Sequence, residues 1–258
     1  IQFHSTDYSR PRFKSSVLEI IYQLLYKFSL NHADLVTVVS LKMLDNAKQL
    51  SSIASHSKLS LLPNSPNFDK IPKVQPLIKN RCSLVLMVGR WGNQIDTKVI
   101  VDGVKLIKKT FPKIELHIIG NVEKKYKNYF FKKGLRSNVF FHGVKPYDAA
   151  LKLMANYYIG ITAYRPGESY LAYADSLKIR EYAASGSPSV CDKVYSTSLE
   201  GYRKGTSLLY SDYKEFSEQV IRLIKDKKLY LKMRNKALSW AKENDKKILL
   251  ERLYNDAL

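Results

Sequence analysis

Residues 82–89 read CSLVLMVG, a continuous apolar run that stops at a glycine. A strand with one wet face would alternate polar and apolar residues. A run without alternation has both faces covered, as in a parallel sheet packed between helices. The residues that follow decide the fold. The stretch TKVIVDGVKLIKKT (97–110) places Val99, Val104, Leu106 and Ile107 near one helical face, and IELHIIG (114–120) is a second strand ending in glycine. The alternation continues with a Lys-rich helix over 123–134, strand VFFHG (139–143) and a helix over 147–156 carrying Ala150, Leu151 and Met154. Strand YYIGITAY (157–164), a short helix over 177–185, strands PSVC (188–191) and SLLY (207–210), and helices near 213–227, 229–243 and 246–257 complete it. This pattern predicts an α/β fold: a parallel sheet with flanking helices on both faces.

Upstream, an amphipathic helix over about 16–30 leads to ADLVTVVS (33–40), a strand ending in serine, and a second helix spans about 41–54. LSLLPNSPNFDKIPKVQP (59–76) then holds four of the nine prolines and reads as an interdomain linker. About 60 residues with three strands do not close a core of their own. We therefore expect residues 1–75 to be the end of an incomplete first domain plus linker, completed by sequence before Ile1 or by a partner. Residues 76–240 are expected to form the main domain, with a last helix (241–258) packing back toward the N-terminal part.

Forty-three Lys and Arg against 23 Asp and Glu give a formal charge of +20. Such a surface attracts polyanions: nucleic acid, an anionic lipid leaflet or phosphorylated substrates. No apolar run is long enough to cross a bilayer, and the opening IQFHSTDYSRPRF lacks a signal-peptide pattern. Cys82 and Cys191 read as buried free thiols of a reducing, cytoplasmic compartment, and the five scattered histidines give no zinc spacing.

Ligands of an open parallel sheet bind beyond the C-terminal strand ends. Those ends carry Gly89-Arg90 with Lys98 further on, Gly120-Asn121, Gly143-Val144-Lys145, and the loop Tyr164-Arg165-Pro166-Gly167-Glu168 running to Ser176. The helix of 177–185 starts at Asp175 or Ser176, and Lys178 in its first turn opposes the helix dipole unless an anion joins it. A diphosphate fills that role, with Arg90 as a second positive arm, and Glu181 one turn on accepts sugar hydroxyls. Neither G-x-G-x-x-G nor G-x-x-x-x-G-K-[ST] occurs, which removes the main support for dehydrogenase and P-loop readings.

The segment SLKIREYAASGSPSV (176–190) resembles the K-x-x-E-Y-x-x-x-G-x-P-V-V segment of retaining, family 4-like glycosyltransferases (glycosyl transferases group 1). ADLVTVVS followed by LLPNSPNF, the run from LVLMVGR to ELHIIGN, and NVFFHGVKPYDAALKLMANYYIGITAYR resemble other parts of the same pattern, across essentially the whole chain. The resemblance implies a GT-B fold of two facing Rossmann-like domains. It also implies transfer of a sugar from a UDP- or GDP-linked donor to a glycan or lipid-linked acceptor, with no cofactor and no bound metal. The implied donor-binding set is Arg90, Lys98, Gly120, Asn121, Val144, Lys145, Arg165, Ser176, Leu177, Lys178 and Glu181. Arg90 holds the diphosphate, Glu181 the ribose, and the backbone near Gly120, Asn121, Val144 and Lys145 the base. Lys98 is displaced by about two residues from the family spacing. Tyr173 stands where many relatives carry a Glu that holds the transferred sugar. His4, or Asp7, matches the catalytic residue facing the donor sugar from the first domain.

Two alternatives belong to other classes: a basic nucleic-acid-binding protein, whose 18 tyrosines would stack on bases, and a non-catalytic nucleotide-sugar-binding relative. The tyrosines and lysines form no concentrated stripe, which counts against nucleic acid as the partner. The basic surface fits an enzyme working peripherally at an anionic membrane, with the Lys-rich segment 222–247 as the expected contact.

Overall fold

Two parallel sheets carry the chain in the computed structural model, which describes residues 2–5, 12–51, 59–73, 81–166, 169–194 and 196–257. The first sheet holds β1 (Gln2–Ser5), β2 (Leu35–Val38) and β3 (Leu59–Leu61) in that order, joined through α1 (Ser16–His32) and α2 (Leu41–Leu50). Serines start both helices: Ser15 Oγ accepts from the N–H of Leu18, and Ser40 Oγ from that of Met43. The apolar run of 33–40 is therefore shorter as a strand than its sequence suggests, because its last serine is spent on the cap. Leu59–Leu61, expected in the linker, instead pair with β2, Val36 opposite Leu59 and Val38 opposite Leu61. Linker composition sets in only at Pro63. Leu30, Val36, Val38, Met43 and Ala47 make a small enclosed core. The expected boundary at 75/76 lies in 74–80, outside the described residues.

The second sheet comprises β4 (Ser83–Arg90), β5 (Glu115–Asn121), β6 (Val139–Gly143), β7 (Ile159–Ile161), β8 (Ser189–Asp192) and β9 (Ser207–Tyr210). Its helices are α3 (Thr97–Thr110), α4 (Lys124–Lys132), α5 (Tyr147–Met154), α6 (Leu177–Ser185), α7 (Ser196–Arg203), α8 (Tyr213–Lys225), α9 (Lys227–Glu243) and α10 (Lys246–Ala257). Strand order is β6-β5-β4-β7-β8-β9, every pair parallel. The chain steps outward from β4 to β6, then returns to the other side of β4. That reversal between β4 and β7 opens a crevice at the strand tips.

The sheet is buried on both faces, as the unbroken apolar runs require. Leu84, Leu86 and Val88 face α3, α4 and α8, whereas Val85 and Met87 face α5 and α6. On α3 the buried stripe is Ile100, Val101, Val104 and Ile107. Val99 and Leu106 lie at its edges, one step around the helix from the expected face. Each fully buried aliphatic of this kind contributes about 1.5–3 kcal/mol. The strand expected over 157–164 pairs only at 159–161, because the following residues turn away: Thr162 Oγ1 donates to Asp192, and Tyr164 bridges back to Ile95. Helix α7 had no apolar periodicity to announce it; its buried positions are Thr197, Ser198 and Gly201.

Tyr182 fixes the seam between β4 and β7. Its hydroxyl accepts from the Met87 N–H at 3.0 Å and donates to the Ile161 carbonyl at 3.2 Å. The ring lies on Gly160, where an added Cβ would come within 2.4 Å of it. The ring is fully buried and bonded at its far end, so it has nowhere to retreat. Gly160→Ala is expected to lose about 1–3 kcal/mol of stability through overpacking, read as a lower urea midpoint with an unchanged slope. An unaltered midpoint would mean that the ring yields.

The Pro-rich segment is tied to the end of the chain. Ser65 Oγ donates to the Asn244 carbonyl, the Phe68 N–H to Asp245 at 2.7 Å, and the Lys246 N–H to the Pro66 carbonyl at 3.4 Å.

Candidate functional site

The crevice at the tips of β4, β5 and β6 is a cleft of about 300 Å³, at the small end of ligand pockets. Its floor is Met87, Gly89 and Gly120, one wall is Val144, Lys145 and Tyr147, and the other is Leu177, Lys178 and Glu181 of α6. Gly120 has φ +138°, and a Cβ there would strike the Val88 carbonyl oxygen at 1.7 Å. Only glycine lets β5 close against β4 at this point.

Helix α6 presents its N-terminus without the usual side-chain cap. Ser176 occupies the cap position, but its Oγ makes no cap bond and is buried with no partner among the described residues. The first turn holds no acidic residue. Uncapped N–H groups, an orphaned hydroxyl and the Lys178 ammonium form a set of donors suited to an oxyanion. Glu181 is 2% exposed, and its Oε1 accepts from the Tyr147 hydroxyl at 2.6 Å. Burial pushes the Glu181 carboxyl above its usual range, against the Tyr147 hydrogen bond and the Lys178 charge.

Of the residues chosen from sequence, Gly120, Val144, Lys145, Leu177, Lys178 and Glu181 line this one cleft, and Ser176 adjoins it. Arg90 does not line it. Its charge is instead felt by Lys125 of α4, and β4 shifts register between Met87 and Arg90, so the alternation of Leu84, Leu86 and Val88 does not carry through to it. Asn121 is exposed at the end of β5, where its carbonyl accepts from the Trp91 N–H. Lys98 lies on the outer face of α3, 74% exposed and 3.7 Å from Asp102, and does not reach the cleft. Arg165 is exposed, its N–H bonded to the Gln94 carbonyl. His4 sits elsewhere, its Nδ1 2.6 Å from Thr37 Oγ1, in a separate pocket of about 250 Å³ shared with Leu62–Ser65 and α10. Asp7, Gly167 and Glu168 lie outside the described residues. Tyr173 packs on the core of the first sheet, its carbonyl accepting from Ser40 Oγ at 2.6 Å.

Sequence reasoning missed two features. Tyr147, in the Pro146-Tyr147 pair that opens α5, is the partner of Glu181. A buried knot also anchors α6: the Arg180 guanidinium meets Asp175 at 3.1 Å and Glu200 at 2.8 Å, while Asp175 Oδ2 accepts from the Asn64 N–H at 2.7 Å. Burial works against the charge of Arg180, but the two carboxylates outweigh it and hold the guanidinium protonated.

A second and larger pocket, about 580 Å³, opens at the tips of β7, β8 and β9. Its walls include Val99, Tyr164, Leu199 and Tyr210, with Lys42 of α2 and Lys193 among its lining residues. Asp192 also lines it and accepts from Thr162 Oγ1 at 2.7 Å and from the Tyr164 N–H at 3.0 Å. The Lys178 ammonium, which lines the first cleft, lies 5.9 Å from the centre of the Tyr164 ring, which lines the second.

Three solved structures share the fold. Anabaena HepE in complex with UDP and glucose is 16% identical with a TM-score of 0.75, over 98% of this chain and 70% of that one. An S. aureus TarM variant in complex with fondaparinux, α-GlcNAc-glycerol and UDP is 14% identical with a TM-score of 0.74, over 99% of this chain and 50% of that one. WaaG, a glycosyltransferase involved in lipopolysaccharide biosynthesis, is 13% identical with a TM-score of 0.70, over 98% of this chain and 73% of that one. The chain thus spans half the length of TarM, and its fold is that of GT-B proteins. A comparison with curated proteins found no match. The family profile for glycosyl transferases group 1 matches residues 82–226, more than half of the sequence, and the chain belongs to that family.

Proposed function

We propose that the protein is a glycosyltransferase whose β4–β5–β6 cleft holds the nucleotide end of a UDP-sugar, or of a GDP-sugar, and that it transfers the sugar with retention and without a metal. The observation that carries this reading is a buried carboxylate, Glu181, one turn inside a helix whose N-terminus offers donors with no anion to meet. Glu181 accepts the ribose hydroxyls, and Lys178, Lys145 and the α6 N-terminus receive the diphosphate. As the glycosidic bond breaks, negative charge builds on the leaving diphosphate, and these preorganised donors stabilise it. Arg90 and Lys98 have no part in this assignment. The larger pocket beyond Tyr164 takes the acceptor, a glycan or lipid-linked sugar whose rings pack on Tyr164 and Tyr210. HepE and TarM, crystallised with UDP, support UDP as the first nucleotide to try.

Thermal unfolding with UDP, GDP and UDP-glucose is the test. A ligand at about a hundred times its Kd should add about 2.7 kcal/mol, and no shift with any nucleotide diphosphate would overturn the reading. The pH dependence has a definite sign. Hydroxyl donors prefer the ionised carboxylate, so affinity is full above the raised Glu181 pKa and falls as the pH drops through it. Calorimetric titrations of wild type and Glu181→Gln in parallel separate this loss from titration of the UDP phosphate, which both proteins share.

A further inference from the structure

Helix α1 carries its longest apolar stripe on the wrong side for a helix that only covers a sheet. Tyr26 and Leu30 face the sheet, 5% and 0% exposed. With about 100° between successive residues, Val17, Ile21, Leu24 and Phe28 lie diametrically opposite them, and Leu18, Ile20 and Leu25 broaden the stripe. All seven are exposed, Leu24 at 62% and Phe28 at 60%. In a parallel α/β layer the neighbouring helices meet a helix on its flanks, and its outward face is the polar one. Here the polar residues Gln23, Lys27 and Ser29 are on the flanks.

We propose that this face is the docking surface for an anionic lipid membrane, with α1 lying flat in the headgroup region. Charge selects the occupant. The chain is formally +20, and α1 is preceded by Arg12 and Lys14 and carries Lys27 on a flank. Its acidic residue, Glu19, is turned inward: Oε2 accepts from the N–H groups of Arg12 and Phe13, and Oε1 from Gln23. The helix therefore offers the membrane apolar side chains next to basic residues and no outward carboxylate of its own. This moves the contact away from the segment 222–247 expected from its lysines. That segment has no exposed large apolar residue among the described residues, because Tyr230, Met233, Ala237 and Trp240 are all buried. The inference does not depend on the sugar-transfer reading.

The test uses the full chain and phosphatidylcholine vesicles with and without phosphatidylglycerol. Co-sedimentation is expected with the anionic vesicles and should weaken with salt. Trp91 and Trp240 are buried, so Leu24→Trp adds an exposed reporter whose emission should shift to the blue on binding. The double variant Leu24→Glu, Phe28→Glu should lose roughly tenfold or more in partitioning, while its urea midpoint stays unchanged because both side chains are exposed. Absence of co-sedimentation, or equal binding by the double variant, overturns the proposal. So does a dimer in light scattering that the double variant dissolves, since the face would then join two copies of the chain.

Discussion

Glu181→Gln is expected to weaken UDP binding by roughly tenfold to a hundredfold while leaving the fold intact. A hydrogen bond to a charged partner contributes about 1.5–3 kcal/mol, and each 1.4 kcal/mol is about a factor of ten in Kd. Glutamine keeps the shape of the side chain, and its carbonyl still accepts from Tyr147, so the cleft does not collapse. Burial opposes the charge of Glu181 in the free protein. Removing that charge should therefore leave thermal stability unchanged or slightly raised in the absence of ligand. Lower affinity without lower stability is the signature of a ligand contact, and titration calorimetry beside a melting curve reads both. If the variant binds UDP as well as the wild type, Glu181 does not hold the ribose.

Asp175→Asn should do the opposite, striking the fold first. Asp175 and Arg180 are 1% and 3% exposed, and the substitution leaves the guanidinium with Glu200, itself partly exposed, as its only carboxylate partner. Breaking a buried ion pair on one side costs about 3–5 kcal/mol, which for a chain of this size lowers Tm by roughly 6–20 °C. Asp175 also accepts from the N–H of Asn64, and its carbonyl from the Asn64 side chain. The Pro-rich segment should therefore become easier to cleave by protease in the same variant. Replacing both partners with apolar residues, Asp175→Leu with Arg180→Met, should cost less than the single change, since the one charge left without its ion-pair partner, Glu200, is 21% exposed. A guanidinium midpoint within error of wild type would show that the knot contributes nothing.

The sheet was legible because burial on both faces writes each strand as an unbroken apolar run, and β4, β5 and β6 fall within one residue of their expected limits. Elements that bury small polar residues leave no such mark, as in α7, and β3, three half-buried residues long, is too short to stand out from the proline-rich stretch after it. In the site, Lys178 and Glu181 could be read from their spacing, because both sit in the first two turns of a single helix. Arg90 and Lys98 could not. Their place depends on which face of a strand or helix they continue, and that is settled by packing rather than by closeness to a glycine. The knot of Asp175, Arg180, Glu200 and Asn64 joins residues far apart in the chain, and Tyr147 meets Glu181 across 34 positions. Neither pairing has a local pattern.

The seam closed by Tyr182 limits how such proteins can be recombined. Gly160 lies before the long loop and Tyr182 after it, yet the ring of one fills the space left by the other. A chimera that takes the loop and α6 from one parent and β7 from another would inherit either a void or a collision at the centre of the sheet. Crossovers that exchange donor preference must carry both positions as a single heritable block.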